Sequence, residues 1–228
     1  VGEGIDGLLG LTAMLFLSPG DVAVTTEGAY PTFNFHVQAH GGRLAALAMR
    51  DLREDLSALR DLAVKTHAKL LYVSNPNSPM GTFWNAQDLA TFIAKPPEGV
   101  MLLLDEAYCD TAPAGTTPPI DPANGQVLRY RTFSKAYGLA GARIGYAIGP
   151  ADVIAAFDKV RNHYGINRVG QIGAKAALED QSYLRHAVGA IDRARNRISD
   201  IARANAIEPL RSGASFVAID CGRDGAFA

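Results

Sequence analysis

Three strand-like segments of this chain end in polar residues, and the spacing between them is even. Leu70–Ser74 runs into Asn75-Pro76-Asn77-Ser78-Pro79-Met80-Gly81, Val100–Leu104 into Asp105-Glu106-Ala107-Tyr108, and Val127–Thr132 into Phe133-Ser134-Lys135-Ala136-Tyr137-Gly138. Asn75, Asp105 and Lys135 stand 30 residues apart in turn, about one strand–helix–strand unit each. Strands covered on both faces read as short apolar runs bounded by turn residues, and Asp21–Thr26, Arg43–Ala48 and Ile144–Ile148 share that form. Between the runs lie stretches with helical character: Ile5–Phe16, Tyr30–His40, Leu52–Thr66, Asn85–Ala94, Ala151–Val160 and Gln181–Ala204. Alternation of this kind predicts an α/β fold with a mostly parallel sheet and helices on both faces.

In an open parallel sheet, residues just past the carboxyl ends of the strands line one crevice. The spacing therefore predicts that an amide, a carboxylate, a phenol and an amine meet there. A lysine at the mouth of a crevice can form a Schiff base with a carbonyl, and a carboxylate at a buried strand end needs a cationic partner. Pyridoxal 5'-phosphate joins the two, with its aldehyde on Lys135 and its protonated ring nitrogen against Asp105. At an effective dielectric of ~20 and a separation of ~4 Å such a charge pair gains roughly 4 kcal/mol. That equals about 3 pKa units, enough to keep a pyridinium charged near neutral pH. A phosphate would find its seat at Gly2-Glu3-Gly4-Ile5-Asp6-Gly7, because free amides at a helix start bind anions. Ser134 adds a hydroxyl and Arg143 a bidentate donor.

Other classes are poorly served. With 22 basic against 23 acidic residues the net charge is -1, so a nucleic-acid partner held by phosphate neutralisation is not expected. No apolar run approaches the length of a membrane span, and the opening residues carry no signal-peptide pattern. Cys109 and Cys221 lie far apart in the sequence, form no metal-ligand cluster and fit a reducing compartment; the expectation is a cytoplasmic protein without metal. Gly2, Gly4 and Gly7 also match a dinucleotide fingerprint, but the acid about 20 residues on, Asp21, starts a strand instead of ending one.

Thr132-Phe133-Ser134-Lys135-Ala136-Tyr137-Gly138-Leu139-Ala140-Gly141-Ala142-Arg143-Ile144-Gly145-Tyr146 resembles the lysine motif of fold-type-I pyridoxal-phosphate aminotransferases. The closest resemblance is to the histidinol-phosphate aminotransferase family. The segment Asn75–Gly81 is similar to its NPNNPTG turn, Asp105–Tyr108 to its DEAY, Pro19-Gly20-Asp21 to its PGD and Glu27–Tyr30 to its aromatic turn. The resemblance spans nearly the whole chain and implies an enzyme that moves an amino group between an amino donor, of histidinol-phosphate or aromatic type, and a 2-oxoacid. It also implies a homodimer.

By the same resemblance Lys135 bonds the cofactor and carries the proton shift, Asp105 pairs with the ring nitrogen, and Tyr108 bonds the phenolic oxygen. Tyr30 stacks on the ring. Ser134, Arg143 and the backbone of Gly4, Ile5 and Asp6 hold the phosphate. Departures fall at Ser78 and Met80, where the family has Asn and Thr, so Asn77 or Ser78 is expected at the phenolic oxygen. The motifs are shared with decarboxylases and lyases of the same fold, the threonine-phosphate decarboxylase type, and a truncated non-catalytic homologue carries them too.

The fold class implied is the seven-stranded type of the cofactor-binding large domain, plus part of a smaller α/β domain. Residues 1–180 read as the large domain with its N-terminal part missing. Residues 181–228 read as a long helix and the incomplete start of the small domain, with Ser215–Asp220 as a strand. Both ends of the chain predict an interior portion of a larger protein.

Overall fold

The computed structural model describes residues 1–222. In chain order the elements are α1 (Gly4–Phe16), β1 (Val22–Thr26), α2 (Pro31–Ala39), β2 (Arg43–Leu47), α3 (Leu56–Lys65), β3 (Leu70–Ser74), α4 (Ala86–Ala94), β4 (Met101–Asp105), β5 (Val127–Thr132), β6 (Gly145–Ile148), α5 (Ala151–Ala156), α6 (Arg168–Glu179) and α7 (Gln181–Ala204). Short 3-10 turns occupy Cys109–Thr111, Ala140–Ala142 and Phe157–Lys159. The strands form one sheet in the order β2-β1-β3-β4-β5-β6. All neighbours are parallel except β5 and β6.

The α/β class and the mostly parallel sheet are as the sequence implies. Among the described residues the sheet has six strands, one fewer than the seven-stranded type expected. On the far side of β6, Gly2 exchanges two backbone hydrogen bonds with Gly145 at 2.9 and 3.1 Å.

The central strands β3 and β4 are buried along their whole length. Successive side chains point to opposite faces of a strand, and here each face has its own core. Leu70, Tyr72 and Leu103 pack with Leu9 and Ala13 of α1 and Phe33 and Val37 of α2. Leu71, Val73, Leu102 and Leu104 pack with Leu59 and Ala63 of α3 and Leu89 and Phe92 of α4. Asp105 has the same parity as Leu103, so it emerges at the strand end on the α1 face. In the register of β3 and β4, Ser74 is its partner.

Several segments differ from expectation. The helix predicted from Leu52 begins at Leu56, because Asp51 and Leu52 take left-handed φ of 51° and 59° and Asp55 caps the helix, its Oδ1 accepting from the Ala58 amide at 3.0 Å. From Phe157 the helix expected to reach Val160 tightens to a 3-10 turn. Helix α6 was not foreseen: its larger apolar side chains, Val169 and Ile172, point outward, and the residues it buries are Gly170 and Ala174. Ser215–Asp220 is not a strand; a single bridge between Pro209 and Ile219 stands there. Asp180, between α6 and α7, caps α7 through the Tyr183 amide at 2.9 Å. Residues 223–228, the end of the expected second unit, lie outside the described residues. No helix is long and apolar enough to cross a membrane among the described residues.

Candidate active site

The ends of β3, β4 and β5 and the start of α1 enclose a cavity of about 110 Å³. Nine of the side chains or backbones expected at a site line it: Ile5, Asp6, Tyr30, Ser78, Asp105, Tyr108, Ser134, Lys135 and Arg143. Ser74, Pro76, Ala107 and Thr132 complete the wall.

Asp105 is 5% exposed, and both of its oxygens are engaged. Oδ1 accepts from the Ala107 amide at 2.9 Å and Oδ2 from the Tyr72 hydroxyl at 2.8 Å. Burial dominates and pushes its pKa up to about 6; the bonds from Tyr72 and Ala107 work against that rise, Glu106 adds to it and Lys135 opposes it. Asp105 makes no ion pair among the described residues. A buried acid so placed favours a cationic group brought beside it.

Lys135 follows β5 on an exposed turn, its Nζ 5.0 Å from the centre of the Tyr108 ring. Tyr108 is itself fixed edge-on against Phe216, ring centres 5.4 Å apart.

An anion has a prepared seat. The first amides of a helix lack intrahelical acceptors, Glu3 offers α1 no side-chain cap, and Ile5 and Asp6 of that first turn face the cavity. Arg143 ends the Ala140–Ala142 turn in the left-handed region, φ 50°. That conformation folds its guanidinium back: Nη1 donates to Ala140 O at 3.0 Å and to Ser134 Oγ at 3.4 Å, and Nη2 to Glu3 O at 3.5 Å. Gly4 does not line the cavity but makes this possible. Its φ is +75°, and a Cβ there would stand 2.6 Å from Arg143 Nη2. The Asp6 carboxylate is taken by His36, Nε2 to Oδ1 at 2.9 Å, so what Asp6 could offer an anion is its backbone amide.

Asn77 is a correction. Its Nδ2 donates to Glu54 Oε1 at 3.0 Å and to Ser74 Oγ at 3.3 Å, and its Oδ1 accepts from the Met80 amide at 3.1 Å. Asn75 is likewise committed, to Trp84 and Thr116. The turn thus presents Ser78, not an amide, to the cavity. Sequence reasoning also missed Tyr72 and Glu54. A tyrosine inside the aliphatic run Leu70–Ser74, two residues before the strand end, was the one available signal for the first. Glu54 sits in a loop with no motif.

Comparison with known proteins places this geometry. Residues 1–224 match the family described as "Aminotransferase class I and II", and the chain belongs to that family. Among its relatives, the histidinol-phosphate aminotransferase of Moorella thermoacetica is 30% identical over 228 residues, 98% of this chain and 59% of that protein. Histidinol-phosphate aminotransferase 2 of Pseudomonas aeruginosa is 34% identical over 227 residues, 98% of this chain and 61% of that protein. The crystal structure of histidinol-phosphate aminotransferase from Sinorhizobium meliloti in complex with pyridoxal-5'-phosphate superposes with a TM-score of 0.95 at 49% identity, covering 98% of this chain and 61% of that one. The chain spans about three fifths of the length of the relatives it matches.

Proposed function

We propose that this chain is the cofactor-binding part of a pyridoxal 5'-phosphate-dependent transaminase, which moves an amino group between an amino donor, of histidinol-phosphate or aromatic type, and a 2-oxoacid. The observation that carries the reading is the meeting of Lys135, Asp105 and the Ser134–Arg143–α1 anion seat in one cavity.

The residues fit the cofactor on three counts. A buried carboxylate makes no ion pair among the described residues, an amine free of hydrogen bonds among them stands at the rim, and the start of α1 with Arg143 and Ser134 offers donors to a phosphate. When bound, pyridoxal phosphate supplies an aldehyde for an amine to bond and a protonated ring that accepts electron density from a substrate carbon. Lys135 would hold that aldehyde and then carry a proton to and from the substrate carbon. Asp105 would keep the ring nitrogen protonated. Tyr108 would donate to the phenolic oxygen, Ser78 would stand beside it, and Tyr30 would wall one face of the ring. Ser134, Arg143 and the amides of Ile5 and Asp6 would hold the phosphate.

The whole protein is proposed to be a cytoplasmic homodimer, with residues 1–180 in its large domain and 181–228 opening a smaller one. The test uses the full-length protein. It should take up pyridoxal phosphate with a visible absorbance band that shifts on adding an amino donor and is lost in Lys135→Ala. Transfer to a 2-oxoacid should yield a new amino acid, whereas carbon dioxide release would assign a decarboxylase. Absence of the band in the wild type overturns the reading.

A further inference from the structure

Tyr72 has no place in the motifs and does not line the cavity, yet it touches the acid on which the cofactor reading depends. Its ring is fully buried and stacked on Phe33 of α2, centres 4.7 Å apart and planes 14° from parallel. Packed this way, its hydroxyl is held against Asp105 Oδ2 at 2.8 Å. Burial and the neighbouring Asp105 charge raise its own pKa well above the phenolic range, so it stays a proton donor.

We infer that Tyr72 is a positioning residue for cofactor binding: it locks the Asp105 carboxylate in its ionised form and in one orientation, so that Asp105 discriminates a ring carrying a protonated nitrogen from one without. This rests on the pyridoxal-phosphate reading above. A hydrogen bond to the charged form of an acid favours that form. Tyr72 takes one oxygen and the Ala107 amide the other, and each carboxylate oxygen accepts at more than one site, which leaves acceptor capacity on Asp105 for a donor from the cavity. The groups close enough to bond Asp105 or feel its charge are Tyr72, the Ala107 amide, Lys135, Glu106, the buried Glu54 and Tyr130. Of these only Tyr72 donates a side-chain hydrogen bond to it.

The inference separates from a plain packing role because it acts through one atom of the ligand. Pyridoxamine 5'-phosphate serves as the probe, since its amine cannot bond Lys135. Its counterpart with carbon in place of the ring nitrogen serves as the control. In full-length protein, Tyr72→Phe keeps the ring and the stack on Phe33 and removes only the hydroxyl. By the size of a hydrogen bond to a charged group, Tyr72→Phe should weaken pyridoxamine phosphate about tenfold or more, measured as Kd by fluorescence titration at neutral pH. The control ligand should bind wild type and variant alike, within about twofold. Equal weakening of both ligands assigns Tyr72 to packing and overturns the inference, as does no weakening of either. If wild type binds pyridoxamine phosphate no better than free solution chemistry allows, the cofactor reading itself fails and takes this inference with it.

Discussion

Asn77 donates its amide to Glu54 inside the protein, 3.0 Å from Nδ2 to Oε1, and among the described residues no cation pairs with Glu54. Glu54 is 1% exposed and also accepts from the Ser74 amide at 3.1 Å. This buried acid ties the loop before α3 to the turn that carries Ser78. Burial pushes its pKa up to about 8, more than the bonds from Ser74 and Asn77 pull it down, and Asp105 adds to the rise. Between its ordinary value of 4.5 and about 8 the folded chain keeps a proton that the unfolded chain has released. Its contribution to stability is therefore complete below the lower value and is lost as pH rises through the upper one. Glu54→Gln keeps the size and removes the titration. The Tm of wild type relative to Glu54→Gln should fall steadily from pH 5 to pH 8; a flat difference would show that Glu54 is ionised in the fold.

Glu106, next to Asp105, has a structural task. It is paired with Arg129 and with Arg131, the latter at 2.9 Å, and its side chain is 1% exposed. Arg129 also donates to the carbonyls of Pro118 and Pro119, at 2.9 and 2.7 Å, and so fastens the proline-rich loop to the sheet. Removing one partner of a buried pair leaves the other charge unpaired, a loss of roughly 3–5 kcal/mol. Glu106→Gln should lose stability on that scale in urea unfolding, and a loss below about 1 kcal/mol would place the pair among weak surface bridges.

The strand-end residues of the site were legible in the sequence because each lies at the end of an apolar run, where a change from buried to polar is local. Asp105, Ser134 and Lys135 were found that way. Tyr72 and Glu54 were not, because their meaning arises only when β3 lies beside β4 and when the loop before α3 folds under the turn after β3. Asn77 and Ser78 show the limit most sharply. They are adjacent and both polar, and the direction each points depends on Glu54 waiting beneath one of them. Helix α6 was hidden for another reason: it buries Gly170 and Ala174 and turns its larger apolar side chains, Val169 and Ile172, outward.

Gly4 tests the anion seat. Its positive φ strains any side chain, and a Cβ there would stand 2.6 Å from Arg143 Nη2, the movable end of the arginine side chain. Gly4→Ala carries roughly 1–2 kcal/mol of backbone cost and pushes the guanidinium off its position. Because a charge-assisted donor is displaced, affinity for inorganic phosphate in the full-length protein should drop about tenfold or more. Unchanged phosphate binding, by calorimetric titration, would remove Arg143 from the seat.

Arg195 of α7 governs the segment that backs Tyr108. Its Nη1 donates to Thr111 O at 3.0 Å and to Ala214 O at 2.8 Å, while Thr111 Oγ1 donates to Gly213 O at 2.9 Å and the Gly213 amide to Gly81 O at 2.8 Å. One guanidinium thus joins the turn after β4 to the chain just before Phe216, whose ring is edge-on to Tyr108. The other guanidinium nitrogen, Nη2, is held by Asp192, and that hold aims Nη1 at both carbonyls; a lysine ammonium has no second nitrogen to be held this way, so Arg195→Lys should release Ser212–Phe216 while leaving the sheet intact. Hydrogen exchange at Gly213 and Ala214 should speed up about tenfold, the factor expected for loss of one charge-assisted bond, with the amides of β3 and β4 unchanged. Exchange that rises equally in the strands would mean that Arg195 supports the whole fold and not this contact.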